Sequence, residues 1–274
     1  MKQGLRDIIY NTVIEANEKV TPGSVEKVVA RAAGIHRKTV RLAIRDLVGL
    51  GELSYTYLYG TSFLEKSFDR PVRVSKRIVI KPPHKAYQAQ PGEVVVDIAA
   101  GAAFGNGAHP TTCLALRALD SILGDNRYAE RKVPLNGLDV GTGTGVLAIA
   151  SAKLGVQKVI AIDLDSCSVS EATHNVSLNG LADQVTVTNT SLQELATYFT
   201  VVVANLAYPT LRRLSPLLSE KMEQDGVLVL SGFKEPASKD LGKTYTEQGF
   251  GLIREETDRE WVCLVLQRGS PEHR

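Results

Sequence analysis

The sequence predicts an α/β protein with a mostly parallel sheet, an antiparallel hairpin that closes the sheet, and a small helical domain ahead of it. From Gly92 onward, helical segments of roughly 10 to 20 residues alternate with five strand-like runs: GLDV, VIAID, VTVT, TVVVAN and GVLVLSG. The last two runs, FGLIREE and EWVCLVLQ, are separated by a few polar residues. That distance is too short for a crossover helix, so we expect these two runs to pair antiparallel.

Composition excludes several classes of protein. The 274 residues are 43% apolar and carry a net charge of +2, which suits one large domain, or a large and a small one, with an ordinary surface. No apolar run approaches the roughly 18 residues of a membrane span, and MKQGLRD lacks the apolar core of a signal peptide. The three cysteines are scattered, which indicates neither a disulfide framework nor a metal site. We expect a cytoplasmic protein without membrane or metal.

Residues 1–68 are predicted to form three short helices and a hairpin. A helix after Thr21-Pro22 is expected to bury Val25, Val28, Val29 and Ala32, and Gly34 is expected to end it. The third helix follows at HRKTVRLAIRDL, with Val40, Ala43, Ile44 and Leu47 facing inward. GELSYTYLYGTSFL alternates like a hairpin. With its turn in AAGIHRKTVRLAIRDL, this arrangement resembles a winged helix-turn-helix domain.

The charges of this domain do not decide whether it contacts nucleic acid or protein. The third helix would expose His36, Arg37, Lys38, Arg41 and Arg45, which suits contact with nucleic-acid phosphates. Residues 1–70 nevertheless hold only 11 Lys and Arg against 8 Asp and Glu, which favours protein docking or a structural role over nucleic-acid contact. Residues 69–92, predicted as a linker with short strands, are basic and free of acids from Pro71 to Gly92. A solvated linker or contact with an acidic partner would explain that composition.

A glycine-rich turn follows the first strand of residues 93–274. The run LDVGTGTG places Asp139 at the strand end and glycines at 141, 143 and 145, which lets the backbone approach a ligand closely. A phosphate-binding P-loop would need a lysine where Val146 stands. The dinucleotide pattern GxGxxG also fails, because the third glycine falls one residue early. A turn without a ligand is the remaining alternative.

An acid at the end of the next strand favours a ligand-binding turn over a turn without a ligand. Asp163 closes VIAID, 18 residues after Gly145, where a carboxylate can accept hydrogen bonds from both hydroxyls of a ribose. The glycine turn and this acid together resemble the S-adenosylmethionine site of the Rossmann-like methyltransferases. The closing hairpin is typical of the same sheet.

A more specific resemblance lies in AAFGNGAHPTTCLALRAL, residues 102 to 119. It is similar to the AFGTGTHPTT signature of the bacterial ribosomal-protein lysine methyltransferases, with Asn106 and Ala108 in place of threonines, and the similarity covers roughly residues 92 to 267. The resemblance implies S-adenosylmethionine as cofactor and a protein substrate, with cofactor contacts at Thr112, Gly141, Asp163 and Asn205; Asp139, Gly143 and Gly145 belong to the same turn. Ser191 lies where the adenine usually rests. The family's usual substrate domain is replaced here by the winged helix, so the acceptor stays open.

Asn205-Leu206-Ala207-Tyr208 resembles Asn-Pro-Pro-Tyr, the run with which some enzymes hold an amine while they methylate it. The run departs from Asn-Pro-Pro-Tyr of nucleobase methylases, because it lacks the locked proline geometry. Asn205 and Tyr208 are the candidate catalytic residues, with packing as the alternative role of Tyr208. The resemblance to the ribosomal-protein lysine methyltransferases implies N-methylation of a protein amine, a lysine side chain or an N-terminus. The alternatives are methylation of RNA or a small molecule, and a DNA-binding regulator that senses the cofactor.

Overall fold

Two units make up the chain, Met1–Arg70 and Pro71–Arg274. The structure, a computed structural model, describes residues 2–14, 16, 19–58, 60–99, 101, 103–105, 107, 109–125 and 134–269. Within these ranges, no helix combines the length and the apolar composition that crossing a membrane requires.

The first unit consists of three helices followed by a hairpin. Its elements are α1 (Lys2–Ile14), α2 (Pro22–Ala33), α3 (Arg37–Gly49), β1 (Leu53–Leu58) and β2 (Thr61–Lys66), and the two strands pair antiparallel. Thr21 caps α2, since its hydroxyl accepts a hydrogen bond from the Ser24 amide. Gly34 ends α2 at φ 64°, in the left-handed region that favours glycine. The interpretation of residues 1–68 as a winged helix stays a prediction.

The buried face of α2 differs from the expected one. Val28 is 56% exposed and Ala32 is exposed, whereas Glu26 is buried at 4% exposure. The Glu26 carboxylate accepts hydrogen bonds from Arg41 Nε at 2.7 Å and Arg41 Nη2 at 2.8 Å, and Arg37 approaches it at 3.4 Å. The hydrogen bond from Arg41 lowers the pKa of Glu26. These ion pairs make burial of the acid favourable, so the helix turns its charged residue inward and one valine outward.

The second unit begins with a sheet of three short strands. They are β3 (Val72–Arg73), β4 (Ile78–Lys81) and β5 (Val94–Asp97), in the order β3-β4-β5. β4 is antiparallel to β3 and parallel to β5. Residues 69–92 therefore contain two strands of a sheet that their neighbour β5 completes.

Three cations of this basic segment have carboxylate partners inside the second unit. Arg73 pairs with Glu93, Arg77 with Asp120, and Lys81 with Asp97. Their positive charge is neutralised locally, which argues against the basic segment as a contact with an acidic partner.

A seven-stranded sheet forms the centre of the second unit, in the order β11-β12-β10-β9-β6-β7-β8. Its strands are β6 (Asn136–Val140), β7 (Lys158–Ile162), β8 (Val185–Thr188), β9 (Phe199–Asn205), β10 (Met222–Lys234), β11 (Phe250–Asp258) and β12 (Trp261–Arg268). Its helices are α4 (Pro110–Leu123), α5 (Val146–Lys153), α6 (Ser166–Leu178), α7 (Tyr208–Lys221) and α8 (Glu235–Glu247), with a 3₁₀ turn at Leu192–Glu194. The predicted βα alternation is confirmed.

The sheet is parallel from β10 to β8 and closes with antiparallel strands. β12 pairs antiparallel with both β11 and β10, which confirms the predicted hairpin. β9 is buried along Phe199–Ala204, as expected of a central parallel strand covered on both faces. The carboxyl ends of β6, β7, β8 and β9 lie along one edge, where ligands bind in open α/β sheets.

Candidate active site

The turn after β6 needs its three glycines. Gly141, Gly143 and Gly145 have φ values of 73°, 55° and 83°, in a region that side chains disfavour. A Cβ atom added at Gly143 would lie 2.3 Å from the carbonyl oxygen of Phe104. The same carbonyl accepts a hydrogen bond of 2.9 Å from the Thr144 amide. The turn therefore lies directly against the segment that precedes α4, and any side chain at position 143 would separate them.

Asp163 follows β7 with a fixed carboxylate. Its Oδ2 accepts a hydrogen bond from the Gly143 amide at 2.9 Å, and its Oδ1 accepts one from the Asp165 amide at 3.0 Å. The two amides hold the carboxylate against the glycine turn while it lines a cavity. Each carboxylate oxygen accepts more than one hydrogen bond, so Asp163 keeps the capacity to bind ligand hydroxyls.

Asp139 is fully buried at the end of β6. Its Oδ2 accepts hydrogen bonds from the Thr142 hydroxyl at 2.7 Å and the Ala148 amide at 3.1 Å. Its Oδ1 has no hydrogen-bond partner among the described residues. Burial raises the pKa of Asp139 to about 7. The carboxyl group therefore changes charge near neutral pH, and in its carboxylate form Oδ1 is an acceptor to which no described residue donates.

The first turn of α4 provides a hydrogen-bond partner for the Asn205 side chain. His109 caps the helix, since its Nδ1 accepts a hydrogen bond from the Thr111 amide at 3.3 Å, and Pro110 begins it. This places Thr112, which is fully buried, in the first turn. Asn205 at the end of β9 donates from Nδ2 to Thr112 Oγ1 at 3.4 Å. The buried Asn205 Oδ1 has no hydrogen-bond partner in the described part of the chain.

Asp139 and Asn205 lie on neighbouring strands. β6 pairs parallel with β9, with Asp139 opposite Val203 and Val140 opposite Ala204. Two buried acceptor oxygens that the described residues leave unbonded therefore lie near the same sheet edge. Buried acceptors are rarely left without donors, so this edge is complementary to a ligand that carries N–H groups.

A cavity of about 520 Å³ adjoins the glycine turn. Of the predicted site residues, Gly141, Asp163 and Ser191 line it. Ser191 also bonds Glu194, with its hydroxyl 2.6 Å from Glu194 Oε2. The remaining walls are largely apolar and include Val140, Ile162, Leu164, Leu192, Leu206, Leu214 and Leu217. The faces of a flat aromatic ring such as adenine suit the apolar walls of this cavity.

The cavity wall on α7 was not predicted. Thr210, Arg213, Leu214 and Leu217 face the cavity from that helix, at the three- and four-residue spacing of one helical face. The spacing is visible in the sequence, but the orientation of that face toward the glycine turn depends on the packing of the whole helix. Leu206, directly after Asn205, completes this wall, and its Cδ2 lies 2.4 Å from where a Cβ at Gly141 would stand.

Tyr208 occupies the first position of α7, apart from the cavity. Its hydroxyl donates to Asp240 Oδ2 at 2.8 Å, and its half-buried ring packs against the hydrophobic core of the second unit. These contacts account for Tyr208 as a packing residue. Its catalytic role stays a prediction.

His109 belongs to an aromatic cluster beside the site. Its ring lies 5.1 Å from the Phe104 ring and 5.0 Å from the Trp261 ring, both edge-to-face. Burial lowers the pKa of His109 below its usual value, so the imidazole is neutral around pH 7. A neutral ring can cap α4 through Nδ1 and pack against its two aromatic neighbours at once.

The fold and the site together define the Rossmann-like methyltransferase class. Residues 64–269 match the family described as ribosomal protein L11 methyltransferase (PrmA). The ribosomal protein L11 methyltransferase of Geotalea daltonii is 40% identical over 204 residues, which cover 73% of this chain and 65% of that protein. That of Geotalea uraniireducens is 39% identical over 212 residues, with 75% and 66% covered. The chain belongs to this family.

A solved structure agrees with this assignment. The crystal structure of ribosomal protein L11 methylase from Lactobacillus delbrueckii subsp. bulgaricus has a TM-score of 0.64 and 30% identity, and the match covers 73% of this chain and 100% of that one. The chain spans about two thirds of the length of the two Geotalea proteins. Residues 1–63 lie outside the family match. Asn106 and Ala108, where the loop before α4 departs from the family signature, lie outside the described residues.

Proposed function

We propose that the chain is an S-adenosylmethionine-dependent N-methyltransferase that acts on a protein amine. The observation that carries the proposal is the pair of buried oxygens, Asp139 Oδ1 and Asn205 Oδ1, which have no hydrogen-bond donor among the described residues. The reaction brings two amino groups to this edge, one on the cofactor and one on the acceptor. Each of them provides N–H donors for one of these oxygens.

The residues present fit the cofactor. Asp139 Oδ1 is suited to its ammonium group and Asp163 to its ribose hydroxyls. The glycine turn lets a ligand approach the backbone closely, because Gly141, Gly143 and Gly145 carry no side chains. The apolar cavity beside Ser191 suits the adenine ring. Thr112 keeps Asn205 oriented at the same edge.

When bound, S-adenosylmethionine supplies a methyl group on a positively charged sulfur. The protein's own part is to position the attacking amine, since alignment of the reacting atoms at about 3 Å accounts for most of the acceleration of such a transfer. We assign this role to Asn205, whose Oδ1 accepts a hydrogen bond from the amine. A lysine amine must also lose its proton, and burial favours this loss by lowering its pKa from about 10.4.

The acceptor is proposed as a protein, without a more specific assignment. Membership of the family supports protein methylation, and the relatives are named for ribosomal protein L11. Residues 1–63 lie outside the match, and substrate choice depends on attached domains. We propose that residues 1–70 select the acceptor and that the reaction takes place in the cytoplasm.

Replacing Asp163 with alanine is expected to weaken cofactor binding by about 1–3 kcal/mol, the cost of removing a charged hydrogen-bond partner. Calorimetric titration with S-adenosylmethionine measures this change. Asp165→Ala is a control, because Asp165 also lies after β7 but bonds its own helix at Cys167. Equal affinities of the wild type and the Asp163 variant would show that Asp163 does not hold the ribose.

Asp139 is expected to make cofactor binding depend on pH around its pKa of about 7. Below that pH the carboxyl group is protonated and neutral, and above it the carboxylate attracts the ammonium group. Relative to Asp139→Asn, the wild-type affinity should therefore rise roughly tenfold between pH 6 and pH 8. Titrations of both proteins across this range, taken as a ratio, cancel the ionisation of the cofactor itself. A ratio of the two affinities that stays constant across this range would show that Asp139 does not bind the ammonium group.

The proposed activity is tested by transfer of a radiolabelled methyl group. The purified full chain is incubated with labelled S-adenosylmethionine and fractions of a bacterial lysate, and the product is treated with protease or nuclease. The expected label is sensitive to protease, resistant to nuclease and recovered as an N-methylated amino acid after hydrolysis. Label on RNA or on a small molecule would contradict the proposed acceptor class.

A further inference from the structure

The exposed charge of the first unit is concentrated in one segment. Between Thr21 and Arg45 the sequence has six Lys and Arg residues and a single acid, Glu26. That acid is 4% exposed, so the charges that α2 and the first half of α3 present to solvent are all positive. The small excess of 11 basic over 8 acidic residues in residues 1–70 conceals this separation, because most of the acids lie elsewhere in the unit.

One face of α3 carries much of this charge. Lys38, Arg41, Leu42 and Arg45 are all exposed, and their spacing of three, four and seven residues places them on one side of a helix. Together with His36 and Arg37 they line one surface depression. Lys38 and Arg45 form no ion pair with any residue that the structure describes. We call the exposed residues 37, 38, 41, 42 and 45 the α3 basic face.

Glu26 holds two arginines of this face in position. Arg41 donates hydrogen bonds from Nε and Nη2 to the Glu26 carboxylate, and Arg37 Nη2 lies 3.4 Å from the same carboxylate. The two arginine side chains are still 55% and 52% exposed. A guanidinium group has five N–H donors, so both arginines keep donors for a ligand. Orienting the side chains in advance lowers the entropy that binding would cost.

The turn between α2 and α3 is also typical of a DNA-binding unit. Three residues, Gly34 to His36, join α2 to α3, with Gly34 in the left-handed conformation. Two helices joined by such a turn are typical of units that place the second helix in the DNA major groove. The groove of B-form DNA admits a helix, whereas the major groove of an RNA duplex is too deep and narrow.

We propose that the α3 basic face binds double-stranded DNA, with α3 in the major groove and Arg37, Lys38, Arg41 and Arg45 in contact with backbone phosphates. This activity goes beyond methyl transfer. It gives the first unit a second partner, besides the protein acceptor, whose negative charge complements the α3 basic face.

The test uses the full chain and a fluorescently labelled DNA duplex of about 20 base pairs, long enough for more than one helical turn. Anisotropy measures the affinity across a range of salt concentrations for the wild type and for the double variant Lys38→Glu, Arg45→Glu. The control is Lys239→Glu, Lys243→Glu, which makes the same charge change on exposed residues of α8. Calorimetry with S-adenosylmethionine confirms that both variants keep a functional second unit, and circular dichroism confirms that their helices are intact.

Wild-type affinity for DNA should fall steeply with salt. The Lys38/Arg45 variant should bind at least about tenfold more weakly, with a salt slope reduced by about 1.8 for two lost phosphate contacts. The control should differ from the wild type by less than about twofold, since its charges lie outside the contact. An undetectable affinity of the wild type, an equal loss in both variants, or tighter binding to an RNA duplex of the same sequence would overturn the proposal. Capture of an acidic protein by the α3 basic face, without DNA binding, would overturn it as well.

Discussion

Replacing Asn205 with alanine is expected to lower kcat by about 100-fold, the effect of losing the alignment of a reacting group. Asn205 stands at the carboxyl end of β9, with Nδ2 bonded to Thr112 and the buried Oδ1 left for a ligand donor. The alanine variant removes that acceptor without disturbing the glycine turn. Rates of methyl transfer at saturating cofactor measure the loss, and calorimetry separates it from weaker cofactor binding.

Thr112→Val is a matched comparison for this variant. It removes the hydrogen bond that orients Asn205 but keeps the Asn205 amide, so we expect a smaller loss of kcat than in Asn205→Ala. Similar kcat values for Asn205→Ala and the wild type would show that Asn205 does not position the amine for methyl transfer. A larger loss in Thr112→Val than in Asn205→Ala would assign the role to Thr112 instead.

Removal of residues 1–70 is expected to abolish methylation of the true acceptor and to spare cofactor affinity. The residues that we assign to cofactor binding all belong to the second unit, Pro71–Arg274, whereas residues 1–63 lie outside the family match. The truncated chain is compared with the full chain in the labelled transfer assay and in calorimetry with S-adenosylmethionine.

Two outcomes would contradict this division of roles. Full activity of the truncated chain on the same acceptor would show that the second unit alone selects the substrate. A folded truncated chain that no longer binds S-adenosylmethionine would show that residues 1–70 take part in the cofactor site. Circular dichroism of the truncated chain establishes that it is folded.

The parts of the site that depend on local sequence were predictable. Three glycines after a strand specify a close backbone turn, and the acid at the end of the next parallel strand must lie at the same sheet edge. The structure places Asp163 against Gly143 at 2.9 Å. The N-terminal cap at His109 and the start of α4 at Pro110 are likewise set by neighbouring residues in the chain.

Features that join distant segments were not predictable in the same way. The periodicity of α2 favoured Val28 as a core residue, but Glu26 is buried because Arg41, 15 residues away, binds it. Tyr208 bonds Asp240, which is 32 residues away. The raised pKa of Asp139 follows from its complete burial, which depends on the packing around β6. In each case the decisive partner is fixed by tertiary structure.

The cavity walls also combine residues that were predicted from the sequence with residues that were not. Ser191 and Asp163 were predicted from their places after strands, whereas Leu206, directly after β9, and Leu214 on α7 complete the apolar wall. Their apolar character is plain in the sequence. Their common direction depends on how α7 packs against β10 and the 3₁₀ turn.

The most direct test of the proposed site is a crystal structure of the full chain with S-adenosylhomocysteine, the demethylated cofactor. We expect the ribose hydroxyls on the Asp163 carboxylate, the ammonium group on Asp139 Oδ1, and the adenine in the cavity between Ser191 and Leu206. Asn205 Oδ1 should then face the position of the missing methyl group. A ligand bound away from the glycine turn, or one that leaves both Asp139 and Asp163 without contact, would contradict the account.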